Sequence, residues 1–113
     1  MQIIAEPAKL LQLWDTREVD FTEMMKIVVD VRQQILAIDG DMHSDLEELL
    51  LENGSQQADL WGANVYPMKD KDEQLEFTSF INIRPSQGNR GMEVKDPEIV
   101  ALIRLIVGKL LIL

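Results

Sequence analysis

Hydrophobic positions along the chain follow two rhythms. A two-residue rhythm runs through Met24–Val31, where Met25, Ile27, Val29 and Val31 share one side and Met24, Lys26, Val28 and Asp30 the other. With its β-branched residues this segment predicts a strand. Arg32-Gln33-Gln34 then predicts a tight connection to Ile35-Leu36-Ala37-Ile38 and so a hairpin, although it lacks an Asn-Gly or Asp-Gly pair. Gln2–Ala5 reads as a further short strand. Leu60–Tyr66 and Leu75–Arg84 read as a second antiparallel pair, joined by the polar connector Pro67–Gln74. In Leu75–Arg84, Leu75, Phe77, Ser79, Ile81 and Ile83 alternate with Glu76, Thr78, Phe80, Asn82 and Arg84. One side is core-facing, and the other carries a polar series into the loop that follows.

The helical rhythm appears three times. Glu6-Pro7 predicts a helix start, because proline is tolerated where its missing N–H costs little, and Ala8, Leu10, Leu11, Leu13 and Trp14 supply an apolar face up to Asp15-Thr16. Arg17–Phe21 has no clear period and reads as loop. Ser44 is placed to cap a second helix, with Glu47 completing a capping box and Asn53-Gly54 stopping it. Asp96 and Pro97 open the third helix, and from Ile99 to Leu113 only Arg104, Gly108 and Lys109 interrupt the apolar residues. A bilayer takes roughly 20 apolar residues, so this helix is too short to span one. Being apolar nearly all round, it needs cover on more than one side. One sheet covers one side, so the expected second cover is a homodimer contact that charge at Ile103 or Val107 would break. The sum is a single α+β domain over residues 1–113. Its expected architecture is a mainly antiparallel four- to five-stranded sheet with three helices on one face, in the order β-α-β-β-α-β-β-α.

Composition narrows the function classes. The chain has no cysteine, which excludes disulfides, thiolate chemistry and cysteine-ligated metals. That absence, with no basic–apolar leader before Pro7, makes the cytoplasm the expected compartment. The net charge is −9, and residues 41–76 carry ten acidic and two basic side chains against three and five in residues 77–113. Phosphate backbones are repelled by such a molecule, so no nucleic-acid partner is expected. The basic residues Arg84, Arg90 and Lys95 leave room for one small anion.

Three segments carry candidate chemistry. In the loop after Ile83, the residues Arg84, Ser86, Gln87, Asn89 and Arg90, with Asn82 preceding them, bring two guanidiniums, three amides and a hydroxyl together beside Gly88 and Gly91. Arginine forks match carboxylate and phosphate oxygens, and glycines let backbone N–H groups approach an anion. The spacing matches neither the P-loop nor the dinucleotide fingerprint, so no cofactor is expected. The same groups would equally make a self-bonded loop. The second segment is Asp39-Gly40-Asp41-Met42-His43-Ser44-Asp45, in which His43 is a candidate acid–base. It is not an EF-hand, because Ser44 stands where glycine is required and Leu50 where glutamate is. Helix-start chemistry accounts for the acidic residues, and no metal site is expected. The third is Asn64 with Asn82, polar residues inside predicted strands that need hydrogen bonds if buried. A single histidine and no Gly-x-Ser-x-Gly give nucleophilic catalysis little support.

Taken together, Asp41–Asp45, Gly54-Ser55, Asp59–Pro67 with its Trp61-Gly62-Ala63-Asn64-Val65-Tyr66-Pro67 core, and Ile81–Arg90 resemble a family of small bacterial single-domain proteins of unknown function, widespread in cyanobacteria. The resemblance covers the chain from about Gln2 to the last helix. It implies a bacterial, stand-alone, cytoplasmic domain and supplies no catalytic residues. The leading functional expectation is a binding or interaction domain, homodimeric through its last helix, accepting a small anionic ligand at Arg84–Arg90. Alternatives are a hydrolase or lyase using His43, and a structural partner-binding module. If His43 reaches the Arg84–Arg90 loop in one cleft, the enzyme reading gains.

Overall fold

The computed structural model describes all residues, Met1–Leu113. In chain order it contains β1 (Gln2–Ile4), β2 (Ala8–Lys9), α1 (Leu10–Asp15), β3 (Met25–Asp30), β4 (Ile35–Ile38) and α2 (His43–Glu52). These are followed by β5 (Leu60–Val65), β6 (Leu75–Glu76), α3 (Pro97–Leu110) and β7 (Leu111–Ile112). The main sheet has five antiparallel strands in the order β1-β4-β3-β5-β6, and β2 pairs in parallel with β7. The architecture is α+β, with three helices.

The alternation in β3 builds two cores rather than one. Met25, Ile27 and Val29 join Leu10, Trp14 and the inner residues of α3 in the larger cluster. Val28, from the opposite side of the same strand, packs with Ala37, Leu46, Leu50 and Leu60 in a smaller cluster under α2. Helices therefore cover both faces of the sheet, not one as expected from sequence. The physical reason is that the central strands are apolar on both sides, and each side must be buried.

The same arrangement corrects the reading of α3. Its inner side, Ile103, Ile106, Val107 and Leu110, is buried in the larger core. Charge at Ile103 or Val107 would therefore disrupt the core of one chain rather than separate two. The large apolar side chains of this helix left exposed are Leu102 and Leu105. The helix starts as predicted, with Asp96 Oδ1 accepting from the Glu98 N–H at 2.9 Å and Pro97 in the first turn. It ends three residues early, at Leu110, because Leu111-Ile112 turns extended to pair with Ala8-Lys9. That pairing also claims the segment expected to begin the first helix, so α1 starts at Leu10 rather than at Pro7.

Two turns are held by aspartates. The β3–β4 turn is organised by the buried Asp30, which accepts from the backbone N–H groups of Arg32 and Gln33 and from the Gln33 and Ser55 side chains. Burial alone would raise the Asp30 pKa, but these hydrogen bonds outweigh it and hold the carboxyl below its ordinary value. Asp39, at positive φ, accepts from the N–H groups of Glu18 and Val19 and so ties down the loop after α1. The second helix begins one residue before Ser44, with Met42 at the cap position and no side-chain cap, so the predicted capping box does not form. Gly54, at φ 98°, ends that helix as expected.

The largest departure is in Leu75–Arg84. Only Leu75-Glu76 is strand, and Phe80–Asn82 and Pro85–Gln87 form short 3-10 turns. The break comes at Ser79, whose hydroxyl caps the first of these turns by accepting from the Ile81 N–H at 3.3 Å. Beyond it the phase changes. Leu75 and Phe77 pack on the larger core, Ile81 packs on the smaller one, and Ile83 is left exposed.

Candidate functional site

The polar loop forms around the open edge of β5. An edge strand presents N–H and C=O groups that need partners. Along β5, Asn64 pairs with Glu76 of β6, but β6 is too short to reach Gly62 or Leu60. Side chains take over from there. Asn82 presents its carboxamide to Gly62 as a strand backbone would. Its Oδ1 accepts from the Gly62 N–H at 2.8 Å, and its Nδ2 donates to the Gly62 carbonyl at 2.9 Å. Two residues on, Arg84 donates to the carbonyls of Leu60 and Gln57, and its guanidinium lies 4.0 Å from the Trp61 ring centroid. Gly62 is required here, since a Cβ would come within 2.6 Å of the Ser79 Cβ.

Asn89 closes the loop from behind. It is buried, with Nδ2 donating to the carbonyls of Asn82, Gly91 and Glu93, and Oδ1 accepting from the Lys95 N–H at 3.0 Å. Gln87 donates to the Ala58 carbonyl at 3.1 Å. Ser86 and Arg90 are exposed. Of the six residues proposed from sequence as an anion receptor, four are thus engaged mainly by backbone groups of the same chain.

The second candidate segment meets the first only indirectly. His43 is the first residue of α2, and its Nε2 lies 2.8 Å from the Ala63 carbonyl, so that nitrogen carries the proton. Burial pushes the imidazole pKa down and nearby Lys26 adds to this, while hydrogen bonding to Ala63 and Asn64 offsets part of the effect. The neutral form of the ring is therefore favoured. It makes no hydrogen bond to the Arg84–Arg90 loop. One helical turn further, Glu47 lies near Arg84, but no ion pair within 4.0 Å joins them. Burial raises the Glu47 pKa, with Arg84 and Gln57 opposing it. Burial lowers that of Arg84, with Glu47 opposing it.

A row of polar residues crosses the sheet beside His43. Lys26 of β3, Asn64 of β5 and Glu76 of β6 stand directly opposite one another. Asn64 Nδ2 donates to Glu76 Oε1 at 2.8 Å, and the Tyr66 hydroxyl donates to the same oxygen at 3.2 Å. Four side-chain atoms near β5, namely Glu47 Oε2, Trp61 Nε1, Asn64 Oδ1 and Arg84 Nε, have no hydrogen-bond partner of ordinary geometry. All four are enclosed by protein, so none faces an opening. No three of the His, Asp and Glu residues converge as a metal would need.

Open space lies elsewhere, at the C-terminal half of α3. A groove of about 370 Å³ runs between that helix, β6 and the segment before it. Its walls are largely apolar and include Leu10, Val65, Leu75, Val107, Leu111 and Ile112. Lys71, Asp72 and Arg104 stand on its rim. Gly108 also faces it, and a Cβ there would meet nothing within 4 Å. Sequence reasoning missed this groove, because its walls come from four separate stretches of the chain. One signal was present. Glycine inside a helix costs about 1 kcal/mol relative to alanine, and nothing in the packing of this chain requires one at 108.

No helix is long and apolar enough to cross a membrane. No curated protein and no solved structure matches the chain. A family model matches residues 2–110, nearly the whole length, and on that match the chain belongs to the family described as protein of unknown function, DUF5674.

Proposed function

We propose that the chain is a binding domain whose ligand seat is the groove beside the C-terminal half of α3. The observation that carries this reading is the groove itself, about 370 Å³ and lined mainly by apolar side chains. That volume lies within the range of small-molecule sites, roughly 300–1,000 Å³. The reading keeps the expectation of a binding domain and moves its seat away from the Arg84–Arg90 loop, where Asn82, Arg84 and Asn89 already have partners in the backbone. An acid–base role for His43 has less support, since its protonated nitrogen is held by Ala63 and no loop group lies within hydrogen-bond reach. The test is titration with Nile red, a neutral apolar fluorophore, against wild type and Gly108→Leu. Gly108 lines the groove, and a Cβ there meets nothing within 4 Å, so the added side chain is expected to take up groove space. Saturable binding by wild type that the variant loses is the expected result, and equal binding by both proteins would overturn the reading.

A second reading, self-association, rests on the outer side of α3. Leu105 is 64% exposed, and Leu102 lies one turn back on the neighbouring side. The whole helix carries Glu98, Arg104 and Lys109, so a second copy could approach here without bringing acidic surfaces together. Sedimentation of wild type and Leu105→Glu tests it. A dimer that becomes a folded monomer supports the contact, and a monomeric wild type at high concentration removes it.

A further inference from the structure

From the charges on its rim, we infer that the groove takes an amphiphile with an anionic end, the apolar part lying along α3 and a carboxylate meeting Arg104. The inference rests on the groove being a ligand seat. Its ground is the balance of side-chain charge. The chain carries 20 acidic and 11 basic side chains, yet among the side chains that line the groove, which also include that of the last residue, Leu113, two are cations, Lys71 and Arg104, and one is a carboxylate, Asp72. The chain has three ion pairs, formed by Arg17, Arg32 and Lys95, so neither rim cation has a carboxylate within 4.0 Å.

Arg104 is also held in place. Its guanidinium lies 4.9 Å from the centroid of the Phe77 ring, an aromatic contact that positions the cation without neutralising it. An arginine so placed keeps free N–H donors in a planar fork, the geometry that pairs with a carboxylate. One helical turn on, Gly108 also lines the groove, with nothing within 4 Å of where a Cβ would stand. A ligand that is apolar throughout would leave both cations unpaired, and a small inorganic anion would leave the apolar walls uncovered. An alkyl chain with a terminal carboxylate meets both.

The probes are octanoate and 1-octanol, matched in length and differing at one end, with affinity read by displacement of Nile red. Wild type, Arg104→Gln and Gly108→Leu are compared at a pH where octanoate is ionised. Octanoate should bind wild type about tenfold more tightly than octanol, the scale of one charge-assisted hydrogen bond. Arg104→Gln should reduce that preference to within about twofold, and raised salt should weaken octanoate more than octanol. Equal affinity of the two probes for wild type, with both lost in Gly108→Leu, overturns the anionic end and leaves the groove as a seat. A preference for octanoate that survives Arg104→Gln overturns the role of that residue. If neither probe nor Nile red binds wild type, the groove is not a seat, and the inference falls with it.

Discussion

The edge of β5 and the groove beside α3 are opposites. The edge is crowded with the residue types that mark ligand sites, and the structure uses most of them internally. Asn82 and Arg84 replace a missing strand, and Asn89 gathers three carbonyls. The groove has few polar groups, but neither of its two cations, Lys71 and Arg104, forms an ion pair within 4.0 Å. The lesson is that a density of hydrogen-bonding side chains does not distinguish a receptor from a self-sealed edge. What distinguishes them is whether the groups left without a partner face open space: the four such atoms near β5 are enclosed, whereas Lys71 and Arg104 line the groove.

The sharpest way to break this comparison is Asn82→Ala. If Asn82 substitutes for a strand, its loss leaves the buried N–H and C=O of Gly62 unpaired, at a cost of about 3 kcal/mol. A lowering of Tm by roughly 10 °C is expected on that scale. If instead Asn82 serves a ligand, ligand-free stability will hardly change.

A smaller effect comes from His43, whose folded-state pKa lies below its ordinary value of 6.5. A depressed pKa favours the neutral form in the folded state. The associated stability is full above 6.5 and is lost as pH falls through that value toward the folded pKa. Wild type should therefore lose more stability than His43→Gln between about pH 7.5 and pH 5.5. Identical losses would mean that burial does not depress the pKa of the ring.

The smallest effects belong to the exposed tip of the loop. Ser86→Ala and Arg90→Ala should each change stability by no more than about 0.5 kcal/mol. They should also leave octanoate binding at its wild-type value, since both residues lie outside the groove. A loss of octanoate binding in Arg90→Ala would return the anion site to the loop.

Much of the backbone was legible because local signals and burial agreed. The two-residue rhythm located β3, β4 and β5, and Asp96-Pro97 marked the start of α3. The strand expected over Leu75–Arg84 failed because alternation says only that successive side chains point to opposite sides. It does not say that the sides remain those of one sheet, and at Ser79 they change. The capping box at Ser44 failed for a related reason, since the helix begins at His43. Of the site, the amides at 64 and 82 were recognisable as polar groups in need of partners if buried, whereas Asn89 read as part of the anion-receiving loop. Their partners were not, because a carboxamide pairs as well with a backbone 20 residues away as with a ligand.

By itself the sequence determined the α+β class, the central hairpin, the start of the last helix and the net acidic charge. These depend on periodicity, capping and net charge, which are properties of short segments or of the sum. Only the tertiary structure decided which face each helix covers, that Ile103 and Val107 lie inside, and that the polar loop seals an edge. It also decided that Arg104, Lys71 and Gly108 face one open groove. Those are questions of which distant groups meet, and long-range contact is settled by mutual burial of whole surfaces.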